Sequence, residues 1–287
     1  MKNKTILLGL NELNFDYIKF YINQGLLPNF KKIFQIQKPI ETVSEKEYKL
    51  LEPWVQWVTI HTGKTFEEHK VFRLGDIVNN PELYQIFEEL EAEGLSVGAV
   101  SPFNAENRLN NPAFFVPDPW SKTEPSGNWV VKALYQAVHQ SVNDNAKSKL
   151  NIKSIISLGL GLLLYVPISR WFHYVKTIFK AKNPGAKAVV LDSLLADVHL
   201  TLWKKYKPDF SNLFLTACTV INASFSATFG AFGRQFKIFS ECNLMKRSVH
   251  IFNEAFSLLR HVSAYNSSIF SFNFGKYISN ASPTAPA

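Results

Sequence analysis

Residues 52–75 read E-P-W-V-Q-W-V-T-I-H-T-G-K-T-F-E-E-H-K-V-F-R-L-G. They bring two tryptophans, three threonines, two histidines and three glutamates into one short run. A threonine hydroxyl becomes a nucleophile only when a neighbouring base or a metal takes up its proton. Histidine is the side chain best suited to carry a proton at neutral pH, and it is also a common metal ligand. Thr59, His61 and His69 therefore stand out, with Glu52 as an acid at the start of the run and Trp54 and Trp57 as the wall of a pocket. The same residues also suit a plain core segment. In that reading Trp54, Trp57 and Val58 are one buried face of a strand or helix, and His69 is a hydrogen-bonded structural residue.

The chain around this run alternates between strand and helix signals. Thr5–Leu10 is a continuous apolar run of strand length, as in a parallel strand covered on both faces. Asn11 and Glu12 follow it, at the strand end where α/β sheets bind ligands. Helical spacing follows over residues 15–23, ending at Gly25, and again over residues 30–34 after Pro28. Residues 81–94 read as an amphipathic helix, residues 95–100 as a strand and residues 114–116 as a short one. A helix is expected over residues 129–143. The most apolar stretch, 155–168, reads as a buried helix or flap, with an interfacial membrane helix running on to Trp171, Phe172 and Lys176 as the alternative. Residues 188–191 look like a strand leading into Asp192. Residues 194–205 look like a helix carrying Asp197 and His199, and residues 212–215 like a last strand. Asp192 and His199 share one helix face if that helix starts early enough. This pattern predicts an α/β fold with helices on both faces of the sheet.

The 287 residues suffice for one large domain or two smaller ones. We expect an α/β domain over residues 1–215, with a helical insertion at about 129–182. An irregular Phe- and Ser-rich tail follows at 216–287, with disorder expected at its end. The tail holds both cysteines, Cys218 and Cys242, but no aspartate or tryptophan. Two cysteines make no disulfide framework and fit a reducing, cytoplasmic compartment, and neither lies at zinc-ligand spacing from another Cys or His. The short apolar run at the N-terminus does not read as a signal peptide. The positive charges are scattered apart from modest clusters at 176–187 and 204–207, and they form no stripe with interleaved aromatics, which argues against nucleic acid as a partner.

Three segments match a family pattern in order. They are I-L-L-G-L-N-E-L-N-F-D with G-L-L-P-N-F at 25–30, T-G at 62–63 with E-H-K-V at 68–71, and E-L at 89–90 with G-L-S-V-G at 94–98. The chain resembles the alkaline phosphatase superfamily, in its type I phosphodiesterase/nucleotide pyrophosphatase-like branch. The resemblance covers roughly residues 5–105 and, more weakly, 188–215. It implies an alkaline-phosphatase-like core and metal-dependent phosphoester hydrolysis or a related phosphoryl or sulfuryl transfer. Two divalent ions, often zinc, would act on a small phosphorylated or sulfated substrate.

Carried onto this chain, the resemblance implies metal ligands at Asn11 or Glu12, Asp192 and His199, with Asp197 beside them. Its nucleophile falls at Glu52–Pro53, where there is no hydroxyl, and Thr59 is the nearest one. The tail supplies no aspartate for a second metal set. Two explanations stay open: a divergent branch with its own site, or a C-terminal part that is not the family's own, as in a truncated or frame-altered product. Three functions follow as expectations. The first is the hydrolase, the second an inactive relative that binds a ligand or partner, and the third a membrane-surface protein acting through residues 155–182.

Overall fold

A computed structural model describes residues 4–11, 15–36, 40, 42, 44–143, 151–180 and 184–216. Of the expected tail only Thr216 is described, and Glu12 lies outside the described residues. Four strands form one all-parallel sheet: β1 (Thr5–Leu10), β2 (Val97–Val100), β3 (Phe114–Val116) and β4 (Phe210–Leu215). Their order is β1-β4-β2-β3. The last of the described strands is thus the inner partner of the first, with Thr5 opposite Phe210 and Leu10 opposite Leu215. The mixed α/β class expected from the alternation is what the chain adopts.

Side chains alternate across the sheet. Leu8, Leu10, Val100, Phe114, Val116, Leu213 and Leu215 lie in one core. Leu7, Val97, Ala99, Phe115 and Phe210 lie in another. The sheet is covered on both sides, which is why its strands read as unbroken apolar runs.

The first core is closed by α1 (Phe15–Asn23), α2 (Pro28–Ile36), α6 (Trp129–Asn143), α7 (Ile152–Tyr165), α8 (Ile168–Lys180) and α9 (Pro184–Tyr206). On the opposite face lie α3 (Pro53–Thr62) and α5 (Ile86–Ala92), with the single turn α4 (Phe66–His69) packed on α3. Two glycines allow rings to lie flat on the strands. A Cβ on Gly9 would sit 2.6 Å from the Trp57 ring, and one on Gly98 would sit 2.5 Å from the Phe114 ring.

Two expectations are corrected. Residues 188–191 are not a strand but part of the 23-residue α9. A short apolar run looks the same in a buried strand and in a buried helix, and here the helix continues through it. The helix expected over 81–94 starts only at Ile86, where Gln85 and Glu88 form a capping box. The residues before it are held in a loop because the Arg108 guanidinium donates to the carbonyls of Ile77, Asn80 and Leu83.

Candidate functional site

The carboxyl ends of the four strands are the natural place for a site in a parallel sheet. At the end of β1, the Asn11 backbone N–H donates to the Leu215 carbonyl at 3.1 Å. Just past Leu215, the Thr216 hydroxyl donates to Asp192 Oδ1 at 3.3 Å. Asn11 and Asp192, 181 positions apart in the chain, therefore adjoin the same end of β4. Both are buried. Of the predicted ligands these are the two that bond to residues at this end of β4.

Helix α3 forms the aromatic wall beside this end of the sheet. Pro53 opens the helix at its first turn and Gly63 closes it in the left-handed conformation, with φ 65°. Trp57 lies over Gly9, stands edge-on to Phe214 with ring centres 4.7 Å apart, and donates from its indole N–H to Asn11 Oδ1 at 3.0 Å. Phe103 stacks on Phe214 at 4.9 Å. Trp54, only partly buried, donates to the Phe72 carbonyl and joins the same cluster. Glu52 is the residue before the helix and makes no side-chain cap.

Thr59 is placed elsewhere. Successive helix residues are turned by about 100°, so Thr59 points about 200° around α3 from Trp57, away from Asn11. Its hydroxyl lies 3.1 Å from His69 Nε2. His69 Nδ1 accepts the Val71 backbone N–H at 3.0 Å. An imidazole nitrogen that accepts a hydrogen bond carries no proton, so the proton of neutral His69 sits on Nε2 and is donated to Thr59. Burial lowers the pKa of His69, which favours that neutral form. The pair has the geometry of a base and a nucleophile, but its proton is on the wrong side for His69 to act as a base.

His61 and His199 are both buried, and burial lowers each to about 3. His199 is hydrogen-bonded to Ser211 on the sheet and faces Phe114. His61 lies between Trp57 and Phe87, and neither of its ring nitrogens has a hydrogen-bond partner. Asp197, also weighed as a ligand, accepts from Arg170 at 2.6 Å and from the Tyr174 hydroxyl at 2.7 Å.

The metal implied by the resemblance can be tested against these donors. The amide oxygen of Asn11 is engaged by Trp57. Asp192 and His199 are seven residues apart on α9, about 10 Å along its axis. Among the described residues no three His, Cys, Asp or Glu are placed to hold one ion. The described donors do not fit a metal, so the shared face expected for Asp192 and His199 makes no common site.

Sequence reading missed the most highly bonded acid. Asp118 follows β3 and is fully buried. It accepts the backbone N–H groups of Asn104, Trp120 and Ser121 and the Ser121 hydroxyl, all at 2.7–2.8 Å. Burial raises its pKa, and the four donors oppose that rise. Asn104 in turn accepts the Gly75 N–H and donates to the Trp54 carbonyl, both at 2.7 Å. This network fixes the start of α3 against the ends of β2 and β3. The P-D-P-W sequence at 117–120 was the available signal, an Asx turn just after the short strand.

No family model, curated protein or solved structure matches the chain.

Proposed function

We propose that this chain is a phosphoester hydrolase of the phosphodiesterase kind, built on an alkaline-phosphatase-like core. The observation that supports the reading is that Asn11, after β1, and Asp192, on α9, each bond to a residue at the carboxyl end of β4, Leu215 and Thr216. The sequence resemblance implies a polar residue after the first strand and an acid from the C-terminal half, and these two are the candidates for those places. The substrate, a small phosphorylated or sulfated molecule, would lie against the Trp54 and Trp57 side of α3. A divalent ion, zinc by resemblance, belongs to the proposal through the resemblance alone, since the described donors do not fit one. We assign no step to it. The compartment that fits the two cysteines is the cytoplasm.

A second reading, binding without turnover, is favoured by the direction of the Thr59–His69 proton. The test is release of nitrophenol from bis(p-nitrophenyl) phosphate by the full chain, with and without added zinc or manganese, alongside calorimetric titration with inorganic phosphate. Metal-dependent turnover that Asp192→Asn lowers at least about a hundredfold supports the hydrolase. Phosphate binding without turnover supports the second reading. Neither turnover nor binding overturns both.

A further inference from the structure

Residues 145–191 contain seven lysines and one arginine and no aspartate or glutamate. Their charge of +8 equals that of the whole chain. Within this segment lie α7 and α8, and each shows an apolar stripe to the outside. On α7 the stripe is Ile152, Ile155, Ile156 and Leu163, and on α8 it is Ile168, Phe172 and Val175. These spacings of three, four and seven residues place each set along one helix face. Exposure is extreme for such side chains: 75% for Ile152, 79% for Ile168 and 77% for Phe172.

The other sides of the two helices are tied down. Gly161 lets α7 approach Leu134 of α6 closely. Arg170 and Tyr174, one turn apart on α8, both reach buried Asp197 of α9. That clamp takes the only arginine of the segment inward and holds the stripe of α8 outward.

We propose that the outer face of α7 and α8 docks on an anionic lipid bilayer, with the stripes in the boundary of the acyl chains and the positive charge of the segment attracted by the headgroups. Apolar stripes on short helices in an acid-free, lysine-rich segment suit such an interface. The helices span only about 20 Å each, short of the hydrocarbon core, and no described helix is long and apolar enough to cross a membrane. A second copy of the chain fits the face less well, because it would set two acid-free basic segments against each other. The proposal is independent of the hydrolase reading.

The test is cosedimentation of the full chain with vesicles of phosphatidylcholine alone and with phosphatidylglycerol added. Binding is expected only with phosphatidylglycerol and is expected to fall as salt is raised. The double variant Ile168→Ser/Phe172→Ser should weaken it at least about tenfold, with circular dichroism and thermal transition unchanged. Lys153→Glu, at an exposed position, should weaken it as well without touching the packing. Absence of binding to anionic vesicles overturns the proposal. So does binding that neither variant changes, or a dimer that the double variant converts to monomer.

Discussion

His69 donates its Nε2 hydrogen to Thr59, because its other ring nitrogen already accepts the Val71 N–H. This direction makes Thr59 an acceptor that orients the histidine. Thr59→Val should leave the buried Nε2–H without a partner and cost about 1–2 kcal/mol in denaturant unfolding. Any phosphodiesterase activity should change by less than about tenfold. A loss of a thousandfold at unchanged fold would return the nucleophile to Thr59.

His61 is buried against Trp57 and Phe87 with neither nitrogen bonded. An unsatisfied polar group of this kind costs stability, so His61→Leu should raise the unfolding free energy by about 1–2 kcal/mol. An unfolding midpoint that drops in the variant would show that the imidazole contributes something its surroundings do not reveal. If the variant is more stable yet less active, the histidine is kept for function.

The same residue and His199 set the response to acid. Both have pKa values of about 3 in the fold, below the ordinary value near 6.5. The unfolded chain therefore takes up protons that the folded chain refuses. On their account the fold keeps its full stability above about pH 6.5 and loses stability as pH falls toward 3. Each contributes a slope of about 1.4 kcal/mol per pH unit between those values. Unfolding curves at pH 7, 6 and 5 should show the loss, and His61→Leu should remove about half of this slope. A slope that the variant leaves intact would assign the titration to other groups.

Gly9 carries the Trp57 ring on the face of β1. In Gly9→Ala the new methyl would meet that ring at 2.6 Å and Phe214 at 2.8 Å, inside a cluster with no slack. Overpacking of this sort costs about 1–3 kcal/mol. It should also displace the indole from Asn11, which would appear as a shift in tryptophan fluorescence. Unchanged stability and emission would mean that α3 moves freely over the sheet.

Asp118 is the hub where the ends of β2 and β3 meet. Asp118→Asn keeps the shape but replaces one accepting oxygen with a donor, turning it against N–H groups that now donate. Two or more buried donors lose their acceptor, for about 2–4 kcal/mol. Asp118→Asn should therefore unfold at clearly lower denaturant than Asp192→Asn, and the reverse order would remove Asp118 from this role.

The strands were legible where residue type settles the matter. Thr5–Leu10 is apolar throughout because both faces are covered, and the register with β4 changes nothing about that signal. Helix α3 was open between strand and helix, since a doubly useful segment of Trp, Val and Ile has no clean period. The contacts that fix the site were not legible. Arg108 bonding to carbonyls some 25 to 31 positions earlier, and Asn104 reaching Trp54, are products of the fold. Of the candidate residues, Asn11 directly follows β1 as strand-end reasoning has it, whereas Asp192 lies within α9 and follows no strand. The spacing of Asp192 and His199 misled, because sharing a helix face does not shorten the rise between them.

The strand order has a consequence in time. The central β4 lies some 205 positions after β1 in the register of the sheet. At translation rates of about 5–20 residues per second, β1 waits roughly 10–40 s for the partner that completes it. Throughout that interval its apolar run has no neighbour among the described strands, and β2 with β3 exposes the edge that β4 will fill. The sheet closes by inserting its last-made strand between two older pieces, so nascent chains stopped before Phe210 should remain open to protease and to chaperones, and those carried past Leu215 and clear of the ribosome should not.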